Sequence, residues 1–314
     1  MSRKLQEILK IQHPVIMAPM FLVSNVAMSL AAIEAGIAPC IPALNYRSIE
    51  EFKFALDKLA ATGKSYGINL IVNQSNIKLK DQLQACLDYK VPFIITSLGS
   101  PKVVIEKARP LGIKVFCDVS DLEYAKKAAA LGPDALIAVT NLAGGHAGQL
   151  APEQFIPALV KAFPDLPIIS AGGVYNRSHI DKMLSLGACG VSVGSIFIAS
   201  IESPVNQEYK QACVEYGAKD IVMTTKLSGV PCSVINTPYV REIGLNQNWI
   251  ERLASKNKWL KKYLKMIIYK QGMEKLKRSA FQATYQNVWC AGPSIEGVHT
   301  IRPVKEIIAE LLSS

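Results

Sequence analysis

Eight short apolar runs alternate with amphipathic stretches from the start of this 314-residue chain to about residue 195. The runs are Val15–Ala18, Ile37–Ala43, Tyr66–Val72, Phe93–Ser97, Lys114–Val119, Ala135–Thr140, Pro167–Ala171 and Gly190–Gly194. Each is apolar nearly throughout, as parallel strands buried on both faces require. Between them, Asn25–Ala35, Ile49–Ala61, Leu79–Tyr89, Leu122–Leu131 and Arg177–Leu186 carry apolar residues at helical spacing. Ser24-Asn25, Ser48, Ser100-Pro101, Ser120-Asp121 and Asn176 read as helix starts, and Gly36, Gly112, Gly132 and Gly187 as helix ends. Eight strand–helix units predict an α/β protein with a TIM (β/α)8 barrel. A doubly wound sheet would place a G-x-G-x-x-G fingerprint after its first strand, and none follows Ala18.

The eighth run is not followed at once by an ordinary helix. The next clean amphipathic stretch is Val304–Leu312. We therefore expect a barrel core over 1–202, an insertion or helical lid over 203–288, and a closing segment with the last barrel helix over 289–314. Half of the residues are hydrophobic and 19% are charged, the composition of a folded globular chain. The net charge of +10 is concentrated: residues 249–278 hold ten Lys/Arg and two Asp/Glu, a balance of +8. Trp249, Trp259, Tyr263 and Tyr269 interleave there with Lys256, Lys258, Lys261, Lys262 and Lys265. Such a segment could dock an acidic carrier protein, draw a phosphorylated cofactor, or simply be a solvated face. Nothing else resembles a nucleic-acid module.

Seven scattered cysteines without a C-x-x-C pair argue against a disulfide framework and a zinc site. Four histidines without ligand spacing give a metal site no support. No apolar run approaches the roughly 18 residues of a membrane span. The charged N-terminus has no apolar signal core behind it, so the expected compartment is the cytoplasm.

Barrel chemistry lies at the C-terminal ends of the strands. There the sixth run leads into Ala143-Gly144-Gly145-His146-Ala147-Gly148. The glycines let backbone approach a ligand closely, and the histidine is a candidate proton acceptor. The alternative is a glycine-rich turn whose histidine caps or packs. The seventh run ends in Ser170-Ala171-Gly172-Gly173-Val174 and the eighth in Ser192-Val193-Gly194-Ser195. Backbone N–H groups freed by glycine, beside a serine hydroxyl, make an anion cradle where barrels commonly bind phosphate. The first run ends in Ala18-Pro19-Met20. The third carries Asn69, a polar residue inside an apolar strand that bonds either a ligand or backbone. Asp118 closes the fifth run, facing the barrel mouth or capping the next helix with Ser120.

Taken in order along the chain, Ala18-Pro19-Met20, Gly67-Ile68-Asn69-Leu70, Ala143 to Gly148, Ala171-Gly172-Gly173-Val174 and Val193-Gly194-Ser195 resemble the nitronate monooxygenase family. Trp289-Cys290-Ala291-Gly292 and Ile301–Leu312 resemble its closing segment. The same motifs occur in flavin-dependent enoyl-acyl-carrier-protein reductases and NADH:quinone reductases. The resemblance implies an FMN-binding barrel that oxidises alkyl nitronates with dioxygen to a carbonyl compound and nitrite. The related activity is an NAD(P)H-dependent flavin reductase acting on an enoyl thioester, whose acyl carrier protein would be acidic, or on a quinone. A barrel with a decayed site, used for binding alone, is the non-enzymatic alternative. By resemblance, Met20 and Asn69 face the isoalloxazine ring, and Gly144, Gly173, Gly194 and Ser195 lie near the ribityl phosphate or its approaches. Ala18, Pro19, Gly145, Gly172, Ser192 and Val193 complete the expected cofactor site. His146 stands over the ring as the catalytic residue. The family often has Gln-Gly-x-Glu before its Ala-Gly-Gly-His; here those places hold Val139, Thr140, Asn141 and Leu142.

Overall fold

The fold is described from a computed structural model over residues 4–225, 231–246 and 288–313. The basic segment 249–278 lies outside these described residues. Eight strands close a barrel: β1 (Val15–Met17), β2 (Ala38–Pro42), β3 (Gly67–Ile71), β4 (Phe93–Ser97), β5 (Lys114–Val119), β6 (Ala135–Val139), β8 (Ile168–Ala171) and β9 (Gly190–Val193). All neighbours are parallel, and β1 closes on β9 with Ile16 opposite Ser192. Each strand overlaps one of the eight apolar runs. The strand missing from this order, β7 (Gly145–His146), belongs to another sheet.

Helices α2 (Val26–Glu34), α3 (Ile49–Ala60), α4 (Leu79–Asp88), α5 (Lys102–Ala108), α6 (Leu122–Ala129), α7 (Pro152–Ala162) and α8 (Arg177–Ser185) follow the strands in turn. Asn25, Ser48, Asp121 and Asn176 start α2, α3, α6 and α8, each side chain accepting a bond from a first-turn N–H. Asp121 is thus the cap of α6, which leaves Asp118 free of that task. The last barrel helix, α11 (Val304–Leu312), packs beside α2 and α8.

Side chains alternate across a strand with a period of two. Outward residues such as Ile68, Ile94 and Val115 pack beneath the helices. Inward residues Ile16, Ala38, Cys40, Phe93, Ile95, Phe116, Ala135, Ile137 and Ile169 fill the barrel. The short α1 (Leu5–Leu9) plugs the lower end with Leu5 and Leu9. Gly67 makes room for Phe93: a Cβ there would lie 2.1 Å from the Phe93 ring. One step further up the same alternation, the inward positions become Ala18, Asn69, Ser97, Asp118, Val139, Ala171 and Ser192. The dry core therefore ends in a floor of small and polar side chains.

After β9, the described residues contain α9 (Gln207–Glu215), β10 (Ile221–Thr224), β11 (Cys232–Ile235) and α10 (Pro238–Ile243). β10, β11 and β7 form a three-stranded antiparallel sheet in that order. The glycine–histidine run, read from sequence as a loop, is thus partly an edge strand. Its partner comes from almost ninety residues later (Cys232 lies opposite His146). The closing segment also joins here, with Val234 bridged to Cys290. Trp289 is fully buried and stacks on Tyr209 with ring centroids 5.5 Å apart. No described helix is long and apolar enough to cross a membrane.

Candidate functional site

The barrel's upper end opens into a cavity of about 520 Å³, within the range of small-molecule and cofactor sites. All thirteen residues singled out from sequence line it: Ala18, Pro19, Met20, Asn69, Gly144, Gly145, His146, Gly172, Gly173, Ser192, Val193, Gly194 and Ser195. Val139 and Leu142 line it as well. They sit where the family often has glutamine and glutamate. Strand ends and the loops that follow them supply most of this wall, which is why scattered sequence motifs converge.

The floor carries a directed chain of hydrogen bonds. The Asn69 amide nitrogen donates to Ile95 O at 3.2 Å and to Ser97 Oγ at 2.7 Å. Ser97 Oγ in turn donates to Asp118 Oδ2 at 2.5 Å. Backbone and Ser97 hold the Asn69 nitrogen, and the residue lines the cavity. Burial among apolar walls raises the Asp118 carboxyl from its ordinary 3.8 to about 6, and the Ser97 bond opposes the rise. Ser97 was not among the sequence candidates. Its signal was positional, a polar residue at the C-terminal end of an apolar strand.

The glycine loops have specific geometric reasons. Thr140 anchors the first loop, its carbonyl accepting from Ala143 N at 3.2 Å and Gly148 N at 3.1 Å. Its Oγ1 donates to Ala171 O at 3.0 Å. Gly172 and Gly173 have φ of 113° and 75°, a region that side chains other than glycine rarely adopt. A Cβ on Gly144 would lie 2.7 Å from both Gly292 N and Ser195 Oγ. That close approach lets the closing segment seal the cavity, with Gly292 N donating to Ser195 Oγ at 2.8 Å. The Ser195 hydroxyl is thus tied to protein backbone as well as lining the cavity.

His146 is held by strand pairing, not left on a loose turn. Burial lowers its pKa from the ordinary 6.5, so its imidazole is neutral at pH 7. His13 and His299 line no part of the cavity, and His179 stacks on Tyr175 with centroids 4.3 Å apart. Among the described residues, no group of three or more His, Cys, Asp or Glu side chains is placed to hold a metal. Two further cysteines, Cys232 and Cys290, line the cavity beside Tyr209. Sequence spacing gave no hint of them, since 58 positions separate the pair.

A sequence profile described as nitronate monooxygenase matches residues 50–314. The chain belongs to the nitronate monooxygenase family. It is accordingly a flavin-dependent oxidoreductase. A nitronate monooxygenase from Pseudomonas aeruginosa is 26% identical over 275 residues, covering 73% of this chain and 78% of that protein. A (3aS,4S,5R,7aS)-5-hydroxy-7a-methyl-1-oxo-octahydro-1H-indene-4-carboxyl-CoA dehydrogenase from Rhodococcus jostii is 27% identical over 240 residues, covering 76% of this chain and 67% of that protein. Among solved structures, FabK from Thermotoga maritima superposes with a TM-score of 0.84 at 26% identity, covering 99% of this chain and 96% of that one.

Proposed function

We propose that the chain binds FMN in this cavity and uses dioxygen to oxidise alkyl nitronates to a carbonyl compound and nitrite. The observation that carries this reading is a neutral, strand-held His146 facing a cavity walled by glycine backbone and apolar side chains. The wall fits the cofactor on three counts. Space beside Gly145 is open, with nothing within 4 Å of where a Cβ would stand. The N–H groups of Gly194 and Ser195 open a 3₁₀ turn, Ser195–Phe197, where they have no acceptor within the turn and suit a phosphate. Met20, Val139 and Ala171 offer apolar surface for a flat ring beside the amide of Asn69.

When bound, FMN supplies the electron-transfer and dioxygen chemistry. The chain's own residues handle position and protons. Neutral His146 accepts the carbon-bound proton of a nitroalkane, or donates its N–H to a nitronate oxygen. Gly144 and Gly292 keep the closing segment against the cavity and limit water. Val139 and Leu142 present apolar surface where the family often has polar side chains, so specificity here rests on shape more than on charge.

A second reading, an NAD(P)H-dependent flavin reductase or dehydrogenase acting on an acyl thioester, has its own support. The carboxyl-CoA dehydrogenase and FabK are as similar to this chain as the nitronate monooxygenase is. The described cavity lining contains Asp118 but neither lysine nor arginine, which suits an uncharged reacting group. Anaerobic mixing of the oxidised holoprotein with propionate 3-nitronate or with NADPH separates the two. Rapid bleaching of the flavin by NADPH alone would select the reductase. For either chemistry, His146→Asn is expected to abolish turnover while the protein stays yellow. Undiminished turnover would remove His146 from the mechanism.

A further inference from the structure

Cys232 and Cys290 are brought together by strand pairing. Val234 bridges Cys290, and Cys232 lies two residues before Val234, on the same face of β11. Their sulfurs stand 3.5 Å apart in hydrogen-bond contact. Both side chains line the cavity, and Cys232 is directly opposite His146. The Tyr209 hydroxyl donates to Cys290 O at 2.5 Å and ties the closing segment to α9. The other five cysteines do not line this cavity.

We propose that Cys232 and Cys290 are a redox-active dithiol, closed to a disulfide by hydrogen peroxide or a small-molecule disulfide that enters the cavity. With peroxide, one sulfur attacks an oxygen and the O–O bond breaks, giving a sulfenic acid and one water. The second sulfur then attacks the first, the S–O bond breaks, and a second water leaves. Two thiols lose two electrons and two protons, and one peroxide becomes two waters. With a small-molecule disulfide, two exchange steps release two small thiols instead. The sulfurs must close from 3.5 Å to the roughly 2.05 Å of a disulfide. Hydrogen bonding to Cys232, then burial, hold the Cys290 thiol well above the ordinary thiol range, which disfavours its thiolate and leaves the first attack on the oxidant to Cys232. Closure would pin β11 to the closing segment on the wall that carries His146.

The inference does not depend on the reaction assigned above, because the oxidant is supplied from outside. Holoprotein is incubated with hydrogen peroxide, and separately with oxidised glutathione. Free thiols are then alkylated and the digest is mapped by mass spectrometry. The expected result is loss of labelling at Cys232 and Cys290 with a bridged peptide two hydrogens lighter. Dithiothreitol should reverse it, and Cys232→Ser or Cys290→Ser should abolish it. Full labelling of both cysteines after peroxide, bridging to any other cysteine, or irreversible sulfinic acid without a bridge would overturn the proposal. The wild-type measurement decides the matter alone if a serine variant fails to fold.

Discussion

Asp118 shows how a single inward position couples the core to the site. The alternation that puts Phe116 in the dry interior puts Asp118 one layer higher, beneath the cavity. Its carboxyl rises from 3.8 in the ordinary state to about 6 in the fold. An acid whose folded pKa is raised holds its proton more readily when folded, so stability falls as pH rises from about 4 through 6. At 1.36 kcal/mol per unit, ionisation costs the fold about 3 kcal/mol at most, and water in the cavity relieves part of that. Asp118→Asn, whose amide oxygen can still accept from Ser97, is expected to raise stability at pH 7.5 and to leave it unchanged at pH 3.5. Urea unfolding at the two pH values checks this, and equal effects at both would contradict it. His146 has the opposite titration. Burial lowers its pKa, so the neutral imidazole persists at pH 7 and gains its proton only below the ordinary 6.5. The acid limb of kcat/KM should therefore inflect below 6.5 and survive in Asp118→Asn. If that variant erases the limb, the titrating group is the carboxylate.

At the scale of elements, caps and crossings decide how strand ends are held. Asn25 accepts from Met28 N at 2.8 Å to start α2, and its amide nitrogen donates to Glu202 O at 2.7 Å. One side chain thus caps a helix and ties the start of the barrel to the chain beyond β9. Asn25→Ala should cost about 2 kcal/mol, roughly 1 for the cap and roughly 1 for the second bond. Ser48→Ala, which loses a cap alone, should cost about half as much, and equal losses in chemical denaturation would refute the dual role. Much of this level was legible in sequence, because Asn25, Ser48, Asp121 and Asn176 act locally through the next three residues. The pairing of β7 with β11 was not. A two-residue strand of glycine and histidine has no periodicity to detect, and its partner is remote in the chain. Ser97 and the Cys232–Cys290 pair were hidden for the same reason, since each acquires meaning only from a neighbour on another strand.

At the scale of the whole described molecule, residues 288–313 pack onto the barrel and against its cavity. Trp289 is fully buried against Tyr209, and Gly292, three residues on, donates to Ser195 at the cavity wall. Trp289→Ala should destabilise the protein by about 3–5 kcal/mol, the usual cost of deleting a buried large aromatic. It should also weaken flavin retention, because the same segment closes the site. Both are read from thermal melting and from flavin fluorescence released on dilution. A large stability loss with undiminished flavin affinity would mean that the seal and the site are independent.

The sequence by itself determined the barrel, the order of its eight strands, and the strand ends that border the cavity. Those follow from local apolar patterning and from the handed, sequential way parallel strands join. It also marked the glycines and His146, because their residue types are unusual at strand ends. Only the tertiary structure decided that the thirteen marked residues share one cavity and that His146 belongs to a strand. It alone placed Asn69, Ser97 and Asp118 in one chain of hydrogen bonds and brought two distant cysteines together. Neighbours on different strands are set by register and closure, and neither is a property of any short stretch of chain.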